Sequence, residues 1–399
     1  MCSTRITECR LTDERLRRQV LKSLAETALN RAQLLGATYA DVRVIEAREQ
    51  GITVRNGQVS GANEVTDVGV GVRVIVDGGW GFASGGTLSE AEVSRVTARA
   101  VEIAQASARF QQHEVRLGQP EVHRDTYRTP VVRDPFDVPM TEKVDLLLLA
   151  DQRMRRESQV KVTYGSIVTV RKHQFFASTE GSQIEQEITQ VGTAIQAYAI
   201  DGNEIQRRSY PQAFRDQHTE GWEFIERLDL PGNAERIGSE AVALLSADPC
   251  PGGVTTLVLG GSQLGLQIHE SCGHPTELDR VFGTEAAYAG TSFLTPDKLD
   301  DFRYGSSIVN LTADATIPGA LGTFGYDDEG VPAQRVPLVR EGKFVGYLTS
   351  RETAAQLAEL RGEDPDRARS GGAMRASGWN RIPLIRMTNI NLEPGDWTF

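Results

Sequence analysis

Val68-Gly69-Val70-Gly71-Val72-Arg73-Val74-Ile75-Val76 places a valine at every second position, the two-residue period of a strand with one buried face. Strand signals surround it. Residues 41–47 carry them through Val42, Val44 and Ala47, and residues 52–54 lead into Asn56-Gly57, a strong hairpin-turn dipeptide. Downstream, Asp77-Gly78-Gly79 turns the chain into a further strand at 80–83. Helices flank these strands. Over residues 13–35, Leu16, Val20, Leu24 and Ala28 fall four apart, Asp13 can cap the start and Gly36 can stop the end. A second helix is expected over 89–110, with Thr87 and Glu90 spaced as a capping box.

Residues 111–138 are polar and hold Pro120, Pro130 and Pro135, the composition of a connecting excursion. A helix over 139–157 follows, then strands at 161–170, 174–179, 182–187 and 190–200, joined at Glu180-Gly181 and Asp201-Gly202. This second block resembles the first in outline, which fits either a structural repeat or two unrelated hairpin stacks in one α+β domain. A boundary is expected at 211–233, where Pro211 and Pro231-Gly232 bracket a mixed polar segment. Beyond it lie a helix over 234–247, a rigid break at Pro249-Cys250-Pro251-Gly252-Gly253 and a short buried-type strand at 254–259. The fold class is therefore α+β. A helix-and-antiparallel-sheet domain occupies residues 1–220, and a mostly β domain with one motif-bearing helix occupies residues 234–399.

The 399 residues carry 43 Lys and Arg against 54 Asp and Glu, a net charge of −11. That balance argues against direct nucleic-acid binding, which needs a cationic surface to displace counterions. The longest aliphatic run, residues 146–150, is far short of the ~20 residues of a membrane-spanning helix. Residues 1–10 hold no apolar signal core. Cys2, Cys9, Cys250 and Cys272 form no C-x-x-C pair or disulfide-like spacing. These features predict a reducing, cytoplasmic setting with no membrane partner.

Chemistry enters at Gln263-Leu264-Gly265-Leu266-Gln267-Ile268-His269-Glu270-Ser271-Cys272-Gly273-His274, which reads as a helix with an apolar face ending in H-E-x-x-x-H. Neutral imidazoles suit zinc, and a carboxylate beside them can take a proton from a metal-activated water. In H-E-x-x-H the histidines are about 400° apart around a helix and share a face. A spacing of five gives about 500°, which splays them by roughly 140°. Convergence on one ion needs a wider, π-like turn or unwinding, and Gly273 permits either. The alternative is an ordinary helix-end pair, with His274 near the C-terminal dipole and Pro275 stopping the helix.

Leu266-Gln267-Ile268-His269-Glu270-Ser271-Cys272-Gly273-His274-Pro275-Thr276-Glu277-Leu278-Asp279-Arg280 resembles the active-site helix of the TldD/PmbA (TldD/TldE) family of zinc metalloproteases. The likeness is to the TldD half, since the other half lacks both histidines and the glutamate. It extends to Gly69-Val70-Gly71-Val72-Arg73-Val74 and Gly79-Trp80-Gly81-Phe82-Ala83-Ser84. It continues through Ala289-Gly290-Thr291-Ser292-Phe293-Leu294, Asp327-Asp328-Glu329-Gly330-Val331-Pro332, Gly346-Tyr347-Leu348-Thr349-Ser350-Arg351 and Arg386-Met387-Thr388-Asn389. The resemblance implies that His269 and His274 are zinc ligands and Glu270 the general base of a peptidase acting on unfolded or small peptides. It also implies a dimer, with itself or with a related motif-lacking subunit. The family's third ligand is a C-terminal cysteine, whereas no cysteine follows Cys272 here. The family's C-terminal end is thus expected to be missing, with Cys272 and Glu277 the nearest substitute ligands. Two rivals go with this reading: a non-catalytic scaffold or peptide-binding subunit, and a regulator of DNA gyrase acting through protein contact.

Other features have plainer readings. Asp327-Asp328-Glu329-Gly330 reads as a solvated turn in preference to a second cation site, and Gly362 to Arg375 as a mobile charged loop. No phosphate-binding glycine motif is present. His113, His123, His173 and His218 read as surface or satisfied histidines.

Overall fold

The computed structural model describes residues 14–111, 113–120, 122–212 and 216–397. Asp13, expected to cap the first helix, lies outside the described residues, as does the Leu16 side chain. The chain begins with α1 (Glu14–Leu34), β1 (Tyr39–Arg55), β2 (Gln58–Val76), β3 (Gly79–Gly85) and α2 (Glu90–Ala108). After β4 (Arg124–Arg128) come α3 (Met140–Met154), β5 (Val160–Ser178), β6 (Gln183–Asp201), β7 (Glu204–Tyr210) and β8 (Asp216–His218). Helices α4 (Glu223–Leu228) and α5 (Leu230–Ala243) close this half.

All eight strands form one sheet in the order β3-β2-β1-β5-β6-β4, with β7 and β8 pairing to β6. The sequence of helix, two long strands, short strand and helix therefore occurs twice. The two copies meet where β1 and β5 pair antiparallel from Asp41↔Ser178 to Arg55↔Tyr164. This arrangement favours the structural repeat over two separate stacks. The segments read as separate strands at 41–47 and 52–54 are one 17-residue strand, and those read at 161–170 and 174–179 are likewise one strand, β5, which ends at Ser178. Asn56 and Gly57 both adopt positive φ, at 49° and 74°, as a two-residue hairpin turn requires. The 111–138 excursion contributes β4, which lies parallel to β6.

Alternation explains the layers. Val70, Val72 and Val74 on β2 and Val42 and Val44 on β1 are buried against α1 and α2. Further along the same sheet, Ile52, Val54, Ile167 and Ile195 are buried against α3 and α5. Helix α2 starts at Ser89, whose side chain accepts from the Glu92 N–H at 3.2 Å. That corrects the expected Thr87–Glu90 box, and Ser89 has the extended backbone that a cap needs. Pro231 and Gly232, read as part of a boundary, lie instead in the first turn of α5, where Asp229 accepts from the Gly232 N–H at 3.0 Å. Proline is tolerated there because its missing N–H would have no helical partner.

The opposite parity, Asp41 and Arg43 on β1 and Arg73 on β2, faces the C-terminal part. There the 327–329 loop is buried, not solvated. Arg73 Nη2 lies 2.7 Å from Asp41 and its Nη1 3.2 Å from Glu329, while Arg43 Nη1 lies 3.3 Å from Asp328. Gln174 donates to Asp328 at 2.8 Å. Burial pushes the Asp327 carboxyl well above its ordinary range, and the neighbouring Glu329 adds to the push. Burial also acts on Asp328, but Lys172 and Arg43 beside it hold that carboxyl below its usual value. A carboxylate-rich turn can leave water here because the sheet supplies guanidinium partners in place. Those partners lie more than 250 residues away along the chain, out of reach of any local motif.

The C-terminal part contains α6 (Gly261–Ile268), α7 (Leu278–Val281), α8 (Ala286–Ala289), β9 (Leu311–Asp314), β10 (Arg335–Arg340), β11 (Lys343–Phe344) and α9 (Arg351–Leu360). The short strands β12 (Met374–Arg375), β13 (Leu384–Ile385) and β14 (Asn389–Leu392) complete it. A four-stranded sheet β11-β10-β9-β14 and the pair β12-β13 surround a core that includes Leu278, Leu311, Leu338, Phe344 and Ile385. Of the 362–375 segment, expected as a mobile charged loop, Arg367 is exposed, but Ser370, Ala373 and Met374 are buried. The α+β class holds, with helices on one face of the large sheet and the second part docked on the other.

Candidate metal centre

Residues 254–259, expected as a buried strand, form no strand. Val254, Leu257 and Val258 are exposed, because no strand among the described residues lies alongside to complete a ladder. Regular structure resumes with α6, whose Leu266 is also exposed and whose Ile268 packs on the C-terminal core. The helix then widens. Residues His269–Gly273 form a π turn in which the His274 N–H bonds the His269 carbonyl, followed by a 3₁₀ turn over His274–Thr276.

That extra residue in the turn cancels the splay of an ideal helix. The His269 and His274 rings lie 4.8 Å apart between centroids and almost perpendicular, at 87°. Ligand atoms of His269, Glu270 and His274 all lie within 4.8 Å of one another. Among the described residues these three form the single group of three or more His, Cys, Asp or Glu able to hold a metal ion.

The surroundings fix this local departure. A Cβ on Gly273 would stand 2.0 Å from Met387 Sδ, while its φ of −73° is open to any residue. Glycine at this position thus makes room for the Met387 side chain and is not needed for backbone freedom. Carbonyls along the turn find donors from outside it: Tyr304 Oη donates to Ser271 O at 2.6 Å and Ser292 Oγ to Pro275 O at 2.6 Å. Thr276 Oγ1 donates to Gly273 O at 2.7 Å. Burial, reinforced by a hydrogen bond with Cys272, pushes the Tyr304 hydroxyl well above its ordinary range, so it stays a donor.

His269 and Glu270 are exposed, and His274 is half-buried. Behind His274, Nδ1 lies 2.7 Å from Glu277 Oε2 and 3.2 Å from Arg280 Nη2. Glu277 is fully buried and its Oε1 has no hydrogen-bond partner. Arg280 Nη2 also lies 3.1 Å from Glu277 and 3.5 Å from Glu285, which Arg386 meets at 3.2 Å. Nearby, burial raises the Asp279 carboxyl to about 6, against hydrogen bonds from the Ile385 and Arg280 N–H groups.

The two substitute ligands read from the sequence stand apart from the triad. Cys272 packs toward the C-terminal core beside Tyr304, and Glu277 sits behind His274 on its Nδ1 side. The Glu277–Arg280–Glu285–Arg386 row was missed. Its one sequence signal is the three-residue spacing of His274 and Glu277, which puts neighbours on one side of a helical turn. Two imidazoles converging at an exposed turn are donors that suit zinc, and the carboxylate between them in the chain is placed to take a proton from a metal-activated water.

Three family models cover most of the chain: the PmbA/TldA metallopeptidase domain 1 at residues 40–104, the central domain at 133–247 and the C-terminal domain at 253–399. A metalloprotease of Methanocaldococcus jannaschii is 32% identical over 365 residues, covering 90% of this chain and 74% of the relative. The chain belongs to the PmbA/TldD family. Another PmbA/TldD relative, a metalloprotease of Methanothermobacter thermautotrophicus, is 33% identical, covering 90% of this chain and 73% of its own. A zinc metalloprotease TldD homologue of Saccharolobus solfataricus is 22% identical over 92% of this chain and 75% of its own. The PmbA/TldD fold is seen in TldE of Thermococcus kodakarensis, with TM-score 0.65 and 15% identity, covering 94% of this chain and 78% of that one. It is seen also in a Thermotoga maritima protein described as a candidate modulator of DNA gyrase, with TM-score 0.71 and 19% identity, covering 95% and 79%. Among the described residues no helix is long and apolar enough to cross a membrane.

Proposed function

We propose that this PmbA/TldD family member is a zinc-dependent peptidase of unfolded or small peptides, with His269 and His274 holding the ion and Glu270 as general base. The observation that carries the reading is the convergence of the three side chains within 4.8 Å on a π turn. An H-E-x-x-x-H spacing on a regular helix would have kept them apart. When bound, zinc would polarise the scissile carbonyl and acidify a water. Glu270 accepts the proton of the attacking water and returns it to the leaving amine. The exposure of His269 and Glu270 lets an extended chain approach. Likeness to TldE supports pairing with a related subunit, a second copy being the alternative. A cytoplasmic setting, read from the cysteines, belongs to the same proposal.

Zinc content and peptide turnover test it together. The wild type should hold about one zinc per chain, since one pair of converging histidines is present, and His274→Ala should lose it. Glu270→Gln should keep zinc and lose roughly 10²–10⁴-fold in turnover, the usual contribution of a positioned base. A wild type that takes up no zinc would refute the reading, and a Glu270→Gln protein with full effect would point to the scaffold instead.

A further inference from the structure

We infer that Glu277 is the positioning residue of this site: it accepts the Nδ1–H of His274 and so leaves Nε2 of that ring, unprotonated, for the metal. The inference rests on the proposed function for its metal but not for its geometry. An imidazole in its neutral form carries one N–H, and the bond made by one nitrogen decides which lone pair the other offers. Two groups compete for Nδ1. Glu277 Oε2 can only accept and lies 2.7 Å away, while Arg280 Nη2 can only donate and lies at 3.2 Å. The shorter contact is with the acceptor, so the Nδ1–H form is favoured. Arg280 is drawn off by Glu277 at 3.1 Å and Glu285 at 3.5 Å.

The carboxylate is held as firmly as the ring. Glu277 is bridged to Leu348, with the Leu348 N–H bonding Thr276 O at 2.9 Å and the Leu278 N–H bonding Leu348 O at 3.1 Å. Its backbone is thus tied into the C-terminal core while its side chain reaches back to the motif turn. Fully buried, Glu277 cannot swing out to become a ligand without dragging that core contact with it. A carboxylate behind a metal-binding imidazole orients the ring and raises its basicity, and its loss typically costs 10–100-fold in metal affinity.

Two readouts test this. Nitrogen-15 NMR of the metal-free protein, above the imidazole titration range, should show His274 as the Nδ1–H tautomer. In Glu277→Gln, with Arg280 facing Nδ1 and the carboxylate gone, the Nε2–H form should gain. Chelator competition should then show zinc bound roughly 10–100-fold more weakly by Glu277→Gln. Asp279→Asn, which alters a buried carboxylate bonded to Ile385 and Arg280 N–H instead of to His274, should bind zinc as the wild type does. An Nε2–H form dominating in the wild type, or a Glu277→Gln protein unchanged in tautomer and zinc affinity, would overturn the inference. A wild type in the Nδ1–H form that takes up no zinc would refute the proposed function while upholding the orientation of the ring.

Discussion

In the large sheet, β1 and β5 run side by side from Asp41↔Ser178 to Arg55↔Tyr164, and Val42, Val44 and Val54 are buried by a two-residue repeat that can be counted along the chain. In the motif turn no period survives: an α-helix, a π turn and a 3₁₀ turn follow one another within sixteen residues, Gly261 to Thr276. The sheet is held by many equivalent backbone bonds, so no single one decides its shape. The turn is held by a few unlike contacts: Thr276 from its own last residue, and Ser292, Tyr304 and Met387 from three other places in the chain. Regular structure is robust and chemically plain, whereas the irregular turn brings three reactive side chains together at the cost of depending on each bracket.

Substitutions can break that contrast from either side. The largest effect on stability is expected from Arg73→Ala, which leaves Asp41 and Glu329 buried without their guanidinium. Urea unfolding should show a loss of about 3–5 kcal/mol, as for other buried pairs broken on one side. A loss below 1 kcal/mol, the range of an exposed pair, would mean that the interface is wet. Gly273→Ala comes next, at about 1–3 kcal/mol for an overpacked site, and zinc uptake should fall more than the melting temperature does. Adding Met387→Ala should restore part of the uptake, because Met387 Sδ is the atom that the new methyl meets. If the double variant is no better than the single, the space argument for Gly273 fails.

The smallest effect concerns pH. Burial lowers the Lys143 ammonium to about 8, although it donates to Pro135 O at 2.6 Å. Its folded pKa lies below the unfolded value of ~10.4, so between these two the unfolded chain binds more protons and stability rises with pH. The slope contributed by one group is at most ~1.4 kcal/mol per pH unit. Lys143→Met should remove this rise between pH ~8 and ~10.4, as read by denaturant titrations at several pH values. An unchanged slope would assign the effect elsewhere.

Legibility in the sequence followed the same division. Val68 to Val76, Asn56-Gly57 and the helices around them could be read because their signals are local and periodic. The need for a widened turn at His269–His274 was also legible, since five residues do not close one α-turn. What closes it was not, because Met387 and Tyr304 lie far along the chain. Residues 254–259 misled by composition alone: Val-Thr-Thr-Leu-Val-Leu has strand propensity, but a strand exists only with a neighbour. Asp327-Asp328-Glu329 misled in the opposite sense, since a run of acids looks wet until its distant partners are known.

Those partners have a consequence in time. Arg73 precedes Glu329 by 256 residues and Arg43 precedes Asp328 by 285. At the usual pace of synthesis, about 5–20 residues per second, the two arginines emerge roughly 10–60 s before the loop that will cover them. Throughout that interval the half of the sheet awaiting its second layer presents guanidinium groups to water, with Asp41 already at hand for Arg73. An apolar face left open for as long would be an invitation to neighbouring nascent chains. A face closed partly by ion pairs, with Phe176 and Ile184 among its apolar members, leaves less apolar surface open while it is unfinished.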